Sequence, residues 1–204
     1  MNMLRKGAIV GATVAGMVLG SVALAGPLPT FNLVFGNGGA ATAYFVGEEA
    51  GDTDDVSVVV PLSLSDFFIN HVSSIGDSVA LGTFGNGEEI EFSMTDVSLP
   101  TTWFTGPGLR NFDGQIHANV TLNINDIVGL PAASYVYAAT LPAGTVFVGF
   151  EDRSGRQADF DYNDIVFAVV NATPTIAQAV PEPASLALLG VGLAFMGWVR
   201  RTRG

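Results

Sequence analysis

Between Glu151 and Asp164 the chain sets five carboxylates and an asparagine into fourteen positions: Glu151, Asp152, Asp159, Asp161, Asn163 and Asp164. Val148-Gly149-Phe150 precedes them and Ile165-Val166-Phe167 follows, so one strand runs into a polar loop and another leaves it. Oxygen ligands at this density suit a hard cation, and calcium takes about six to eight of them at ~2.3–2.6 Å. Spacing imposes a condition. On a straight strand Asp159 and Asn163 would stand ~13 Å apart, too far to share an ion. A shared site therefore requires the backbone to curl through Asp159-Phe160-Asp161-Tyr162-Asn163, with Phe160 and Tyr162 turned away to pack beneath the acids. The pattern is not an EF-hand, because Asp164 occupies the place of the turning glycine and Val170 that of the closing glutamate. Two other readings stay open. Arg153 and Arg156 can neutralise the carboxylates, while aspartate and asparagine cap turns through nearby backbone N–H groups. Alternatively Glu151 and Asp161 form an acid–base pair. Nothing marks a substrate cleft, however, and acids beside arginines are poorly placed for raised pKa values.

A second group is Trp103-Phe104-Thr105-Gly106-Pro107-Gly108, then Asn111-Phe112-Asp113-Gly114, with His117 on the following strand. Gly-Pro-Gly and Asp-Gly form turns, and Trp103 and Phe104 are expected to lid the core. His117 reads as a hydrogen-bonded core residue more readily than as a ligand. His71 has no partner motif, so zinc is not expected.

Charge narrows the function further. Of nineteen acidic residues only Glu182 lies outside residues 26–179, while Arg110, Arg153 and Arg156 are the only basic residues inside them. The body thus carries 18 negative and 3 positive charges, a net of −15. Such a surface repels nucleic acid and anionic polymers and favours cations. No nucleic-acid partner is expected. There is no cysteine, so an exported domain of this kind must draw stability from its core or from metal ions.

Both ends read as addresses. Arg5 and Lys6 precede an apolar run from Ala8 to Leu24, and Ala23-Leu24-Ala25 offers a small-x-small cleavage pattern before Gly26. Residues 1–25 are therefore read as a signal peptide, cut between Ala25 and Gly26 after passage through the Sec machinery. At the other end Val180-Pro181-Glu182-Pro183 is held extended by its prolines. An apolar stretch, Ala184 to Val199, and Arg200-Arg201-Thr202-Arg203 follow. Sixteen helical residues reach ~24 Å, slightly short of the ~30 Å hydrocarbon core, with the arginines held at the cytoplasmic face. Residues 172–180 are read as a linker and 181–204 as a transmembrane anchor or sorting segment.

The remaining body, residues 26–171, reads as one all-β domain, a β-sandwich or jelly roll. Short β-branched and aromatic runs recur between turn formers at Phe31–Phe35, Thr42–Val46, Val56–Val60, Ser78–Phe84, Glu89–Met94, Ile116–Leu122, Tyr135–Ala139, Thr145–Phe150 and Ile165–Val170. Ile90, Phe92 and Met94 alternate inward, and Tyr135 and Tyr137 alternate with Val136. Leu62 to Val72 is the one stretch expected to hold a helical turn, capped by Ser65 or Asp66.

Two resemblances rest on these residues. Pro-Glu-Pro, apolar helix and basic end resemble the PEP-CTERM sorting signal of Gram-negative bacteria, also labelled elsewhere as the C-terminal domain of an ice-binding protein. That resemblance implies processing by an exosortase, a membrane peptidase, and an association with exopolysaccharide, biofilm and floc formation. WFTGPGLRNFDGQIHA and VFVGFEDRSGRQADFDYNDIVF, covering about residues 100–170, resemble the domain of unknown function DUF4114. Gly149-Phe150-Glu151-Asp152 and Asp161-Tyr162-Asn163-Asp164 match its pattern, whereas Arg156-Gln157-Ala158 replaces the glycines and acid typical of its loop. The resemblance implies a non-catalytic, cation-stabilised surface domain. The resulting expectation is an exported structural or adhesive protein of the cell surface or exopolysaccharide matrix, stabilised by calcium. The alternative is an extracellular carbohydrate-binding module using Trp103 with Tyr135 or Tyr137 as stacking platforms.

Overall fold

The computed structural model describes residues 32–174. The expected signal peptide with Ala25 and Gly26, and the sorting segment with Val180, Pro181, Glu182 and Pro183, lie outside the described residues. Among the described residues no helix is long and apolar enough to cross a membrane.

The domain is mostly antiparallel sheet. Its strands are β1 (Val34–Gly47), β2 (Asp54–Val60), β3 (Leu64–Ile69), β4 (Ser78–Asp96), β5 (Thr101–Phe104), β6 (Ala118–Thr121), β7 (Val146–Phe150), β8 (Ile165–Val170) and β9 (Ala172–Pro174). The hydrogen-bonded order is β3-β2-β4-β1-β8-β7-β6, with β5 added on β4 and β9 on β1. β4 joins the two halves. From Ser78 to Ile90 it pairs with β1, and from Glu91 to Asp96 with β2, while Ser93–Asp96 also pairs with β5.

Three strands separate Phe67 and Phe68 on β3 from Phe167 on β8 along that path. At ~4.8 Å per strand a flat sheet would hold β3 and β8 ~19 Å apart. The Phe67 and Phe167 ring centroids are instead 5.8 Å apart, and Phe92 lies 4.9 Å from Phe167. The sheet therefore curls until its two halves face each other across phenylalanine. Ile90, Phe92 and Met94 are fully buried there, as their alternation requires. Every residue of β7 is buried, since the opposite face of β7 and β8 carries a second apolar cluster of Val46, Ile127, Leu130, Phe147, Val166 and Ala168.

Several local expectations are corrected. Tyr135–Ala139 is not a strand: Ala132–Ala138 forms helix α1, entered from Pro131, with Ser134 and Ala138 buried one turn apart. Leu62–Val72 is not helical either, because its centre is β3. Asp66 sits there at φ 50°, beside an irregularity in the β2–β3 register. Ser78–Phe84 and Glu89–Met94 are one continuous strand. Trp103 and Phe104 are strand residues in β5, and Ala172–Pro174 still belongs to the sheet, paired with Val34–Gly36.

Candidate functional site

The six acids and amides singled out above lie on or beside the β7–β8 connection, and the structure brings them together. Residues 159–163 carry no strand. Phe160 and Tyr162 take left-handed conformations, φ 57° and 58°. Alternating left-handed residues break the pleat that would have spread the acids along a line, which supplies the curl that the spacing requires. Carboxylate oxygens of Glu151, Asp159 and Asp161 lie within 4.8 Å of one another, as do those of Glu151, Asp152 and Asp164. Two oxygens on one calcium can be no more than ~5 Å apart, so both triads fit the ion's dimensions.

Backbone and amide groups hold this geometry. Glu151 accepts the Arg153 N–H at 3.1 Å and the Phe160 N–H at 2.8 Å, one on each carboxylate oxygen. Asp164 accepts the Asp152 N–H at 2.7 Å. Asn163 is buried and donates from Nδ2 to the Val128 carbonyl at 2.9 Å and to Asp161 at 2.7 Å. It orients Asp161 and anchors the loop to the segment before α1. Phe160 does not pack beneath the acids; it stays substantially exposed, while Tyr162 is half-buried.

The electrostatics depart from expectation. Burial, with Asp164 nearby, pushes Glu151 and Asp152 up to about 7. Burial raises Asp164 to about 6, and burial with the Asp159 charge raises Asp161. Neighbouring arginines do not prevent this. Arg153 pairs with Asp52 and lies 3.4 Å from Asp152 Oδ1, whereas Arg156 is exposed and makes no ion pair among the described residues. One guanidinium cannot offset the mutual repulsion of this many buried carboxylates.

Sequence reasoning missed the acids that join the cluster from elsewhere. Asp52 and Asp96 bring an oxygen each within 4.8 Å of Asp152. Asp54 is fully buried, and burial with Asp152, Asp164 and Asp96 drives it up to about 8. Asp52-Thr53-Asp54-Asp55 was a visible acidic run. Asp96 carried no signal, since only strand pairing brings it here.

Trp103 is buried, so it offers no stacking platform to a sugar. Its indole N–H donates to the Asp152 carbonyl at 3.0 Å and its ring stacks on His117 at 3.6 Å. His117 is fully buried, with ring nitrogens 3.1 Å from the Glu151 carbonyl oxygen and 3.0 Å from Asp113 Oδ2. Together these residues form a wall behind the acids. The cleft lined by Leu122, Asn125, Tyr135, Leu141 and Phe147 contains none of them.

No match was found among curated proteins. Residues 179–201 match the PEP-CTERM protein-sorting motif, which covers the expected Pro181-Glu182-Pro183, the apolar stretch and the first two closing arginines. The motif implies export, membrane anchoring before processing, and recognition by exosortase.

Proposed function

We propose that this chain is a calcium-stabilised, non-catalytic structural or adhesive protein of the cell surface or exopolysaccharide matrix, delivered by its sorting motif and released by exosortase. In this reading the two halves of the sheet pack as a β-sandwich with a DUF4114-like second half. Calcium staples the β7–β8 loop through Glu151, Asp152, Asp159, Asp161, Asn163 and Asp164. The observation that carries it is the convergence of Glu151, Asp159 and Asp161 on a loop curled by two left-handed residues. Neutralising the loop would let a strongly acidic domain approach an anionic matrix.

The test is thermal melting of the full-length chain in mild detergent with calcium or a chelator. Calcium raises the melting temperature, and Asp161→Ala removes most of that gain. A melting temperature indifferent to chelation would refute the staple. A glycan array with and without calcium covers the binding-module alternative, which selective saccharide capture would favour.

A further inference from the structure

Asp54 on β2 and Asp96 on β4 are direct partners in the antiparallel ladder, and both are fully buried. Like charges directly opposite on one sheet face repel, so such a pair needs a reason. Each acid is fastened by one oxygen and keeps the other free. Asp54 Oδ2 accepts from Asn70 Nδ2 at 2.8 Å, and Asp96 Oδ1 accepts the N–H groups of Ser98 and Leu99 at 2.8 and 2.9 Å. Asp54 Oδ1 and Asp96 Oδ2 are buried with no hydrogen-bond partner. Leaving a buried carboxylate oxygen unpaired is costly, and at Asp96 a cation is a partner that would satisfy it.

Asp96, Asp52 and Asp152 converge to within 4.8 Å of one another. They arrive from the end of β4, the turn before β2 and the start of the β7–β8 loop. Arg153 supplies the nearby positive charge, paired with Asp52 and 3.4 Å from Asp152. That single charge serves a triad of carboxylates. All the donors are oxygen, with no thiolate or imidazole in the triad, a set that suits a hard divalent ion over zinc or copper.

We propose that Asp52, Asp96 and Asp152 hold a second calcium ion. The ion pins β2 and β4 to the loop that follows β7, which joins the first half of the chain to the second. Arg153 occupies the rim and yields its hold on Asp52 when the ion enters. The site borrows Asp152 from the loop cluster but otherwise stands on residues remote from it in sequence.

Calcium titration of the full-length chain in detergent by isothermal calorimetry decides the matter. Asp96→Asn keeps the acceptor for Ser98 and Leu99, and is expected to lose one bound calcium or weaken it about tenfold or more. Asp161→Ala is expected to leave that ion in place. Asp52→Asn, at the partly exposed rim, gives the same loss as Asp96→Asn and covers the case in which the buried variant misfolds. Arg153→Gln tightens binding several-fold. Unchanged stoichiometry and affinity in both Asp96→Asn and Asp52→Asn would overturn the proposal while leaving the loop site standing. Loss in those variants with none in Asp161→Ala would uphold this site and sink the loop reading. A wild-type chain that binds no calcium overturns both.

Discussion

The sharpest prediction concerns pH. Burial raises Asp54 to about 8, Glu151 and Asp152 to about 7 and Asp164 to about 6. In the unfolded chain these groups ionise near pH 4, so between about pH 4 and 8 the folded state retains protons that the unfolded state has released. Stability in chelator must therefore fall as pH rises through that window and level off above it. The acids share protons, so their shifts do not add. Even two retained protons, however, give a slope of about 2.7 kcal/mol per pH unit. For a domain of about 140 residues, 1 kcal/mol moves the melting point by about 3 °C, so each pH unit costs about 8 °C. Calcium replaces the protons as counter-charge and should flatten the curve. At a hundredfold excess over its dissociation constant it adds about 2.7 kcal/mol per site. The assay is a set of melts from pH 5 to 8, in chelator and in calcium, on the full-length chain. The two series should nearly meet at pH 5 and diverge by pH 8. A melting temperature in chelator that is flat or rising with pH would refute the account of the buried acids.

Other outcomes follow from single contacts. Gly149→Ala should cost at least about 2 kcal/mol in denaturant unfolding, because its Cβ would run into the Tyr162 carbonyl and Ile127. Trp103→Phe keeps a ring against His117 but strands the Asp152 carbonyl, at a cost of about 1–3 kcal/mol. Phe167→Ala removes the ring that meets Phe67, Phe68, Phe92 and Phe150 and should cost about 3–5 kcal/mol. Replacing Pro181, Glu182 and Pro183 by alanine should leave the exported chain uncut, which an intact mass would report.

Much of the sheet was legible because its strands alternate or form continuous apolar runs. Ile90, Phe92 and Met94 show the first pattern, and the wholly buried Val146–Phe150 the second. Tyr135-Val136-Tyr137 misled because an alternation three residues long also fits a short helix. The four-residue spacing of buried Ser134 and Ala138 carried the helical period instead. In β3, Asp66 looked like a helix cap, but the irregular register accommodates it at positive φ and lets both Phe67 and Phe68 reach the core. At the site, the loop acids are neighbours in sequence and could be read directly. Asp96 could not, since its closeness to Asp152 comes from β2–β4 pairing and the curl of the whole sheet. The raised pKa values were missed for the same reason, because burial is a property of the fold.

The short pairing of β9 with β1 has a mechanical consequence. Zipping Ala172–Pro174 onto Val34–Gly36 carries the folded body to within seven residues of Pro181. Fully stretched, such a leash spans no more than about 25 Å. If the tail is held in a membrane, as the sorting motif implies, that leash bounds the clearance in which a protease reaching for Pro-Glu-Pro would work. Inserting a flexible spacer after Pro174 widens that clearance and should hasten release if crowding sets its pace.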